Sequence, residues 1–380
     1  MSELKTNKIS TNDGNNVAID TALGLKSYDT TARDALTSVA GDMIFNSDDN
    51  KVQAYDGSSW IDLGALTQGS ALSVDYLVAG GGGGACRHDT RGTGGGGAGA
   101  VTNSYNYATE SSGGRYPDAQ STLSLYKNVR YNVGIGAGGA KQNAGNTRGF
   151  SGTGSYFHTI VAPGGGAGSH GNPNNGRASY GQTGANGGGS NHGPSDGANS
   201  SYKGLGMDNH GFDGGGGYAA SNNWHGGGGG GVGGNGVSAA SSNGGDGGVG
   251  KVFTILSSAN ATTANVGEVS GSDVYYGGGG GGAGYSNATT NAGGLGGGGD
   301  GNVSSANNGD QNGKANTGGG AGSDGASSSN EAGIGGSGVV ILRYPSSASI
   351  VTTGLTTQTF TEGSDKVTVV TSGSGQVYWE

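Results

Sequence analysis

The chain has 380 residues, 92 of them glycine, with apolar residues at 31%, aromatics at 7% and a net charge of −9. This excludes one large aliphatic core, and with 5 prolines and glycine gathered in blocks rather than at every third place it excludes collagen. With no basic block, a surface built to grip nucleic acid or anionic lipid is excluded too. The single cysteine, Cys86, cannot form a bridge within the chain. Only 12% of residues are charged and 17 tyrosines run through the chain, which argues for order over a disordered polar tract. The opening MSELKTNKIS lacks the apolar core of a signal peptide and no run of about eighteen apolar residues occurs, so the expectation is synthesis in a cytoplasm with no membrane insertion.

In chain order, Asp29 to Thr31 predicts the start of a short helix, with Thr31 and Asp34 as a capping-box-like pair, Leu36 and Val39 on one face, and an end near Gly41. MIFN (Met43 to Asn46), KVQAY (Lys51 to Tyr55) and SWIDL (Ser59 to Leu63), separated by Asp48-Asp49-Asn50 and Asp56-Gly57, predict a three-stranded meander. The alternating runs Val74 to Val78 and Val339 to Tyr344 read as strands at the two edges of a glycine-rich region. Two further runs, Leu123 to Gly139 and Gly250 to Leu256, read as strands inside it. Between them lie the blocks Gly80–Gly84, Gly94–Gly97, Gly214–Gly217, Gly226–Gly231, Gly277–Gly282 and Gly296–Gly299. Ser346 to Glu380 is rich in Thr, Val and aromatics broken by Gly, Ser or Asp, and reads as about four short strands. The expected fold class is all-β: residues 1–72 a small N-terminal β-meander with a short helix, 73–345 a glycine-rich domain framed by β-strands, and 346–380 a small C-terminal β-module.

The stretch AGDMIFNSDDNKVQAYDGSSWIDL resembles a small β-module that recurs in phage tail fibres and related virion proteins. The pieces VDYLVAGGGGG, YNVGIGAGG and GSGVVILRY resemble the glycine-rich domain of phage tail proteins and, more distantly, of the extracellular part of certain receptor kinases. That resemblance implies packed polyglycine II helices with three residues per turn, a homotrimer, and an N-terminal module facing other virion or tail proteins. The physics is consistent with such packing. An extended helix of this kind satisfies none of its own hydrogen bonds, and without Cβ its neighbours come close enough to satisfy them all.

Chemical motifs are few. A chain this rich in glycine matches G-x-G-x-x-G by chance, without the strand and helix context that a dinucleotide site needs. The phosphate-loop pattern fails, because Gly250-Lys251 is followed by Val252 and Gly313-Lys314 by Ala315. Six histidines are scattered with no zinc-ligand spacing, and the GGGGDGN segment does not recur as calcium repeats do. No cofactor and no metal-binding motif is expected, and a lone Asp/Asn loop that takes calcium stays open. Cys86 beside Arg87 and His88 sits in a basic setting that lowers a thiol pKa, though an inert loop thiol is the favoured reading. Glu110, Glu268 and Glu331 are far apart in sequence, which argues against a glycoside-cleaving carboxylate pair, and no enzyme activity is expected.

Aromatic and basic residues near glycine-block ends carry the binding expectation, since rings on short loops offer contact area at small entropic cost. Capping of the glycine bundle is the competing role for the same rings. The candidate receptor contacts are Arg87, His88, Phe212, Tyr218, Trp224, His225, Tyr275, Tyr276 and Tyr285. The sequence thus reads as a phage virion fibre or adhesin whose partner is a bacterial surface receptor, protein or glycan. The alternative is a connector or decoration protein of the particle with no receptor.

Overall fold

Short alternating runs at the N-terminus and long glycine tracts after them fold by different means, and the chain divides accordingly into residues 1–70 and 71–380. The structure, a computed structural model, describes residues 25–63, 71–88, 91–114, 120–142, 147–170, 180–191, 197–199, 202–220, 223–284, 291–302, 310–325 and 331–380. In the first unit β1 (Ser27–Tyr28) runs parallel to β2 (Met43–Asn46), which continues antiparallel through β3 (Lys51–Tyr55) to β4 (Trp60–Asp62). The expected meander is there. The helix α1 is shorter than expected, Thr30–Asp34, and its N-cap is Asp29, whose carboxylate accepts the Ala32 N–H at 2.7 Å. Thr31 therefore lies inside the first turn and not at the cap, and the chain leaves the helix well before Gly41.

In the second unit the strands before the central glycine segments are β5 (Ala71–Ala79), β6 (Arg87–His88), β7 (Val101–Asn103), β8 (Leu123–Tyr126), β9 (Tyr131–Gly134), β10 (Ser155–Phe157) and β11 (Ile160–Ala162). Then come β12 (Gly197–Asn199), β13 (Gly217–Ala220), β14 (Asn223–His225), β15 (Lys251–Val252), α2 (Ser258–Ala264), β16 (Glu268–Ser270) and β17 (Asp273–Tyr276). The chain ends with β18 (Asp324–Gly325), β19 (Val339–Pro345), β20 (Ile350–Glu362) and β21 (Asp365–Trp379). The main sheet has the order β11-β10-β9-β21-β19-β5-β7, with β20 paired to β21 and β8 to β5. Its central strands are apolar on both faces because both faces are covered. Val74, Tyr76 and Val78 with Val340, Leu342 and Tyr344 pack against Tyr131, Phe157 and Trp379 on one side. Leu77, Val339, Ile341, Val367 and Val369 pack against Phe253, Ile255, Leu256 and Tyr276 on the other.

Three sequence readings change here. Only Lys251–Val252 of the Gly250 to Leu256 run pairs as a strand. Ile255 and Leu256 are both buried in one cluster, which strand alternation forbids, so the chain leaves the sheet and enters α2 at Ser257. The four expected C-terminal strands are two long ones, joined to the main sheet through β19 and β9. The glycines read as breaks are bulge positions: Gly354 and Gly373 have φ of +73° and +106°, at a register shift between Thr353 and Leu355.

The glycine blocks form a lattice of extended three-residue helices. Gly80 and Gly83 donate to Ala100 and Gly97, Gly81 and Gly84 to Thr153 and Phe150, and Gly82 and Ala85 to Gly336 and Gly333. Every third residue thus addresses the same neighbour, and each acceptor steps back by three, so these three neighbours are antiparallel. The carbonyls of the same segment accept from Gly139 and Gln142, from Gly165 and Gly168, and from Ala321. The 80–85 helix consequently has six neighbours, the arrangement of polyglycine II. Segments 93–100, 226–231 and 277–283 bond in the same three-residue rhythm.

A Cβ on Gly82 would fall well inside contact distance of the Gly319 carbonyl, and one on Gly138 inside that of Gly335. Gly234 is different: an added Cβ there would meet only Val249 Cγ2 at 3.6 Å. Gly82→Ala is expected to destabilise the second unit by about 1–3 kcal/mol or more, as overpacking against immovable backbone does, whereas Gly234→Ala stays within about 0.5 kcal/mol. Urea unfolding of the two variants side by side measures the difference.

Candidate functional site

The lattice gives the second unit two ends. From β5 the chain runs out along 80–85 and returns along the antiparallel 93–100 to β7, so residues 86–88 and 91–92 lie at the end far from the main sheet. Segment 226–231 runs parallel to 93–100, while 278–283 and 318–321 run antiparallel to it. Trp224, His225, Ala283 and Asp324 therefore come to that same far end.

Main-chain bonds knit the far end together. β6 and β18 pair in parallel, Arg87 opposite Asp324 and His88 opposite Gly325. The Thr93 hydroxyl lies 2.9 Å from the Cys86 carbonyl and 2.8 Å from that of Asp324, and Ser323 Oγ donates to the Thr93 carbonyl at 2.6 Å. The Gly92 N–H donates to the Trp224 carbonyl at 3.1 Å. On this base the Arg91 guanidinium lies 5.1 Å from the Trp224 ring centre, a cation–π contact. The His88 and His170 rings are 4.9 Å apart, and Tyr218 and His225 6.3 Å apart, on paired β13 and β14. Tyr180 and Tyr202 meet edge to face at 4.5 Å, with Tyr180 42% exposed.

Of the expected contact residues, Arg87, His88, Tyr218, Trp224 and His225 are brought together at this end. Three lie elsewhere. Phe212 begins a segment that runs outward beside 187–190, so it starts near the sheet, where its N–H donates to Asn186 Oδ1 at 2.8 Å. Tyr275 sits on β17 between Val252 and Glu268. Tyr276 is completely buried against Phe253 and belongs to the core, because alternation along β17 turns it inward with Val274. His225 is at the right end but 1% exposed, so it supports the surface without forming it. Tyr285 lies outside the described residues. Arg91, Tyr180 and Tyr202 are not among the nine named contacts, but they fall in the stretches between Gly84 and Gly94 and from 167 to 213 that the sequence reading marks as recognition loops.

The basic neighbours of Cys86 do not activate it. Its Sγ donates to the Ser169 carbonyl at 2.9 Å inside the lattice, and burial pushes the thiol up to about 12. The three scattered glutamates each have structural partners. Glu110 accepts the Thr254 N–H, Glu268 accepts the N–H groups of Gly296 and Gly297, and Glu331 pairs with Lys141.

Burial also lowers the pKa of the His225 ring from its ordinary value. A folded-state pKa below the unfolded one contributes stability that is complete above about pH 6.5 and is lost as pH falls toward the folded value. The melting temperature is thus expected to drop between pH 7.5 and pH 5, and to drop less in His225→Asn. A thiol reagent at pH 8 is expected to leave native Cys86 unmodified and to label it on denaturation.

No curated protein and no solved structure matches this chain. The family model of a glycine-rich domain matches residues 63–345, from the approach to β5 through to the last residue of β19, and so spans the lattice together with the two strands that frame it. With that match covering well over half its length, the chain belongs to the glycine-rich domain family.

Proposed function

We propose that this chain is a fibre or adhesin component of a phage virion, a binding protein without enzymatic activity.

 It joins other virion or tail proteins through its N-terminal module, assembles as a homotrimer, and contacts a bacterial surface receptor, protein or glycan, non-covalently at the far end of the glycine-rich domain. The observation that carries this reading is the gathering of Arg87, His88, Arg91, Tyr180, Tyr202, Tyr218 and Trp224 at one end of a rigid lattice, from segments spread over more than a hundred residues of sequence. Rings and guanidinium groups held on a stiff base give contact area at small entropic cost, and Trp, Tyr and Arg dominate binding hot spots. Glu110, Glu268 and Glu331 are engaged in separate structural contacts, which supports recognition without cleavage.

Fluorescently labelled full-length chain is expected to bind intact host cells and to block phage adsorption at saturation. Trp224→Ala together with Arg91→Ala is expected to weaken cell binding about 10-fold or more, as loss of a hot-spot pair does, while Tyr275→Ala at the other end leaves it unchanged. Equal binding by all three proteins would remove the far end from recognition, and no binding by the intact chain to any candidate host would favour a connector role within the particle.

A further inference from the structure

Two segments of the far end are locked side by side by main-chain bonds. The Gly168 N–H donates to the Gly84 carbonyl at 3.0 Å, the Gly94 N–H to the Ser169 carbonyl at 3.2 Å, and the Ser169 N–H to the Gly189 carbonyl at 3.1 Å. On the facing segment Cys86 bridges to Gln142, the Arg87 N–H donates to the Gln142 carbonyl at 3.1 Å, and β6 pairs with β18. Both backbones are therefore fixed by the lattice, and with them the starting points of the side chains that pass between the two.

Strand alternation puts Cys86 and His88 on one side of their segment and Arg87 on the other. The contacts agree. Cys86 Sγ donates to the Ser169 carbonyl, and the His88 ring meets the His170 ring. A hydrogen bond from Lys141 holds the Glu331 carboxyl below its ordinary range, and Arg87 is near enough to add to that effect, so the cation of β6 is turned away from the two imidazoles. His170 is completely buried and His88 half-buried, so the pair is reached from the His88 side.

The ring centres of His88 and His170 are 4.9 Å apart and their planes are tilted by 49°. That tilt is neither the parallel overlap nor the edge-on approach that attraction between rings favours. With Zn–N bonds of about 2.0–2.1 Å and a tetrahedral angle at the metal, two imidazoles on one ion have ring centres about 5 Å apart. The separation is thus the one that a shared ion requires.

We propose that His88 and His170 form a binding site for a transition-metal dication, with Zn2+ the ion whose geometry the ring separation fits. Imidazole nitrogen suits Zn2+, Ni2+ and Cu2+, whereas Ca2+ and Mg2+ take oxygen. Each ring has two nitrogens, so a hydrogen bond to protein on one leaves the other for the ion, and ligating histidines are commonly held in that way. Cys86 does not join them, because burial keeps its thiol protonated and turned to the Ser169 carbonyl, and only a thiolate ligates. Among the described residues no group of three or more His, Cys, Asp or Glu side chains suited to a metal occurs. The site therefore supplies two protein ligands, and its other coordination positions go to water or to donor atoms of a molecule lying against the far end. The two histidines are far apart in sequence, which is why no ligand spacing marks them. This site is a property of the chain alone and does not rest on the receptor reading.

The full-length chain, stripped with EDTA and dialysed free of it, is titrated with ZnCl2 against a chromogenic chelator and separately with CuSO4 for electron paramagnetic resonance. Stoichiometric Zn2+ uptake is expected, with a rise in melting temperature at saturation, and the Cu2+ spectrum is expected to carry the splitting of two nitrogen ligands. His88→Gln, at the half-buried position, is expected to fold, to weaken Zn2+ binding ~10-fold or more, as loss of even an outer partner of a ligand does, and to remove one nitrogen from the spectrum. His170→Gln is expected to do the same, and if its buried position prevents folding, His88→Gln decides alone. No Zn2+ uptake by the native chain overturns the site. Uptake with the same affinity and the same spectrum in His88→Gln overturns it as well, by assigning the ion to other groups.

Discussion

Everything in the glycine-rich unit depends on how closely two backbones approach when neither carries a Cβ. A β-strand has two hydrogen-bonded neighbours, so strands make layers. A three-residue helix turns its N–H groups toward three neighbours and its carbonyls toward three more, so helices of this kind make a solid bundle. Each N–H···O bond contributes about 0.5–1.5 kcal/mol net, close to the extra ~0.5–1 kcal/mol of entropy that each glycine loses relative to alanine. A single glycine helix therefore gains almost nothing, and the lattice stands because many helices form together. The apolar sheet supplies the starting point. Strands β5, β7, β11 and β19 lead directly into or out of glycine segments, so the two clusters around Tyr76 and Ile341 fix the register from which the lattice grows.

What the sequence revealed follows from this division of labour. Side-chain alternation marks strands, and it located β5, β19 and the N-terminal meander because Val, Ile and Tyr repeat there with a period of two. The pairing of glycine segments has no such mark. Gly82 bonds to Gly336 across most of the domain, yet nothing distinguishes either residue from the other glycines of its block. The same limit explains the C-terminal strands, where Gly354 and Gly373 look like breaks in sequence and serve as bulges in a continuous ladder. Cys86 shows a different failure. Its basic sequence neighbours suggest a reactive thiol, but its reactivity is set by the depth at which the lattice holds it.

The candidate site was half readable for a related reason. A ring beside a glycine block must lie at an end of a helix, and that much the sequence shows. It does not show which end, because the direction of each helix comes from the long-range register. Trp224 and Phe212 look alike in sequence, yet one begins an inward helix and the other an outward one, and they are carried to opposite ends. Tyr275 and Tyr276 differ for a local reason: neighbours on a strand face opposite ways, so one stays partly exposed while the other fills the core.

A scaffold held mainly by main-chain groups also separates the work of folding from the work of contact. Inside the lattice nearly any side chain is excluded by neighbouring carbonyls, so the sequence there has little freedom. At the far end Arg91 meets the Trp224 ring and Tyr180 meets Tyr202 through side chains, above the main-chain pairing of Arg87 with Asp324. The layer just below is less free: Thr93, Ser323 and Cys86 bond neighbouring carbonyls, and His225 is buried beneath the aromatic surface. Variation in what the end contacts is therefore open to the outermost rings and cations, while the residues one step inward are bound to the fold.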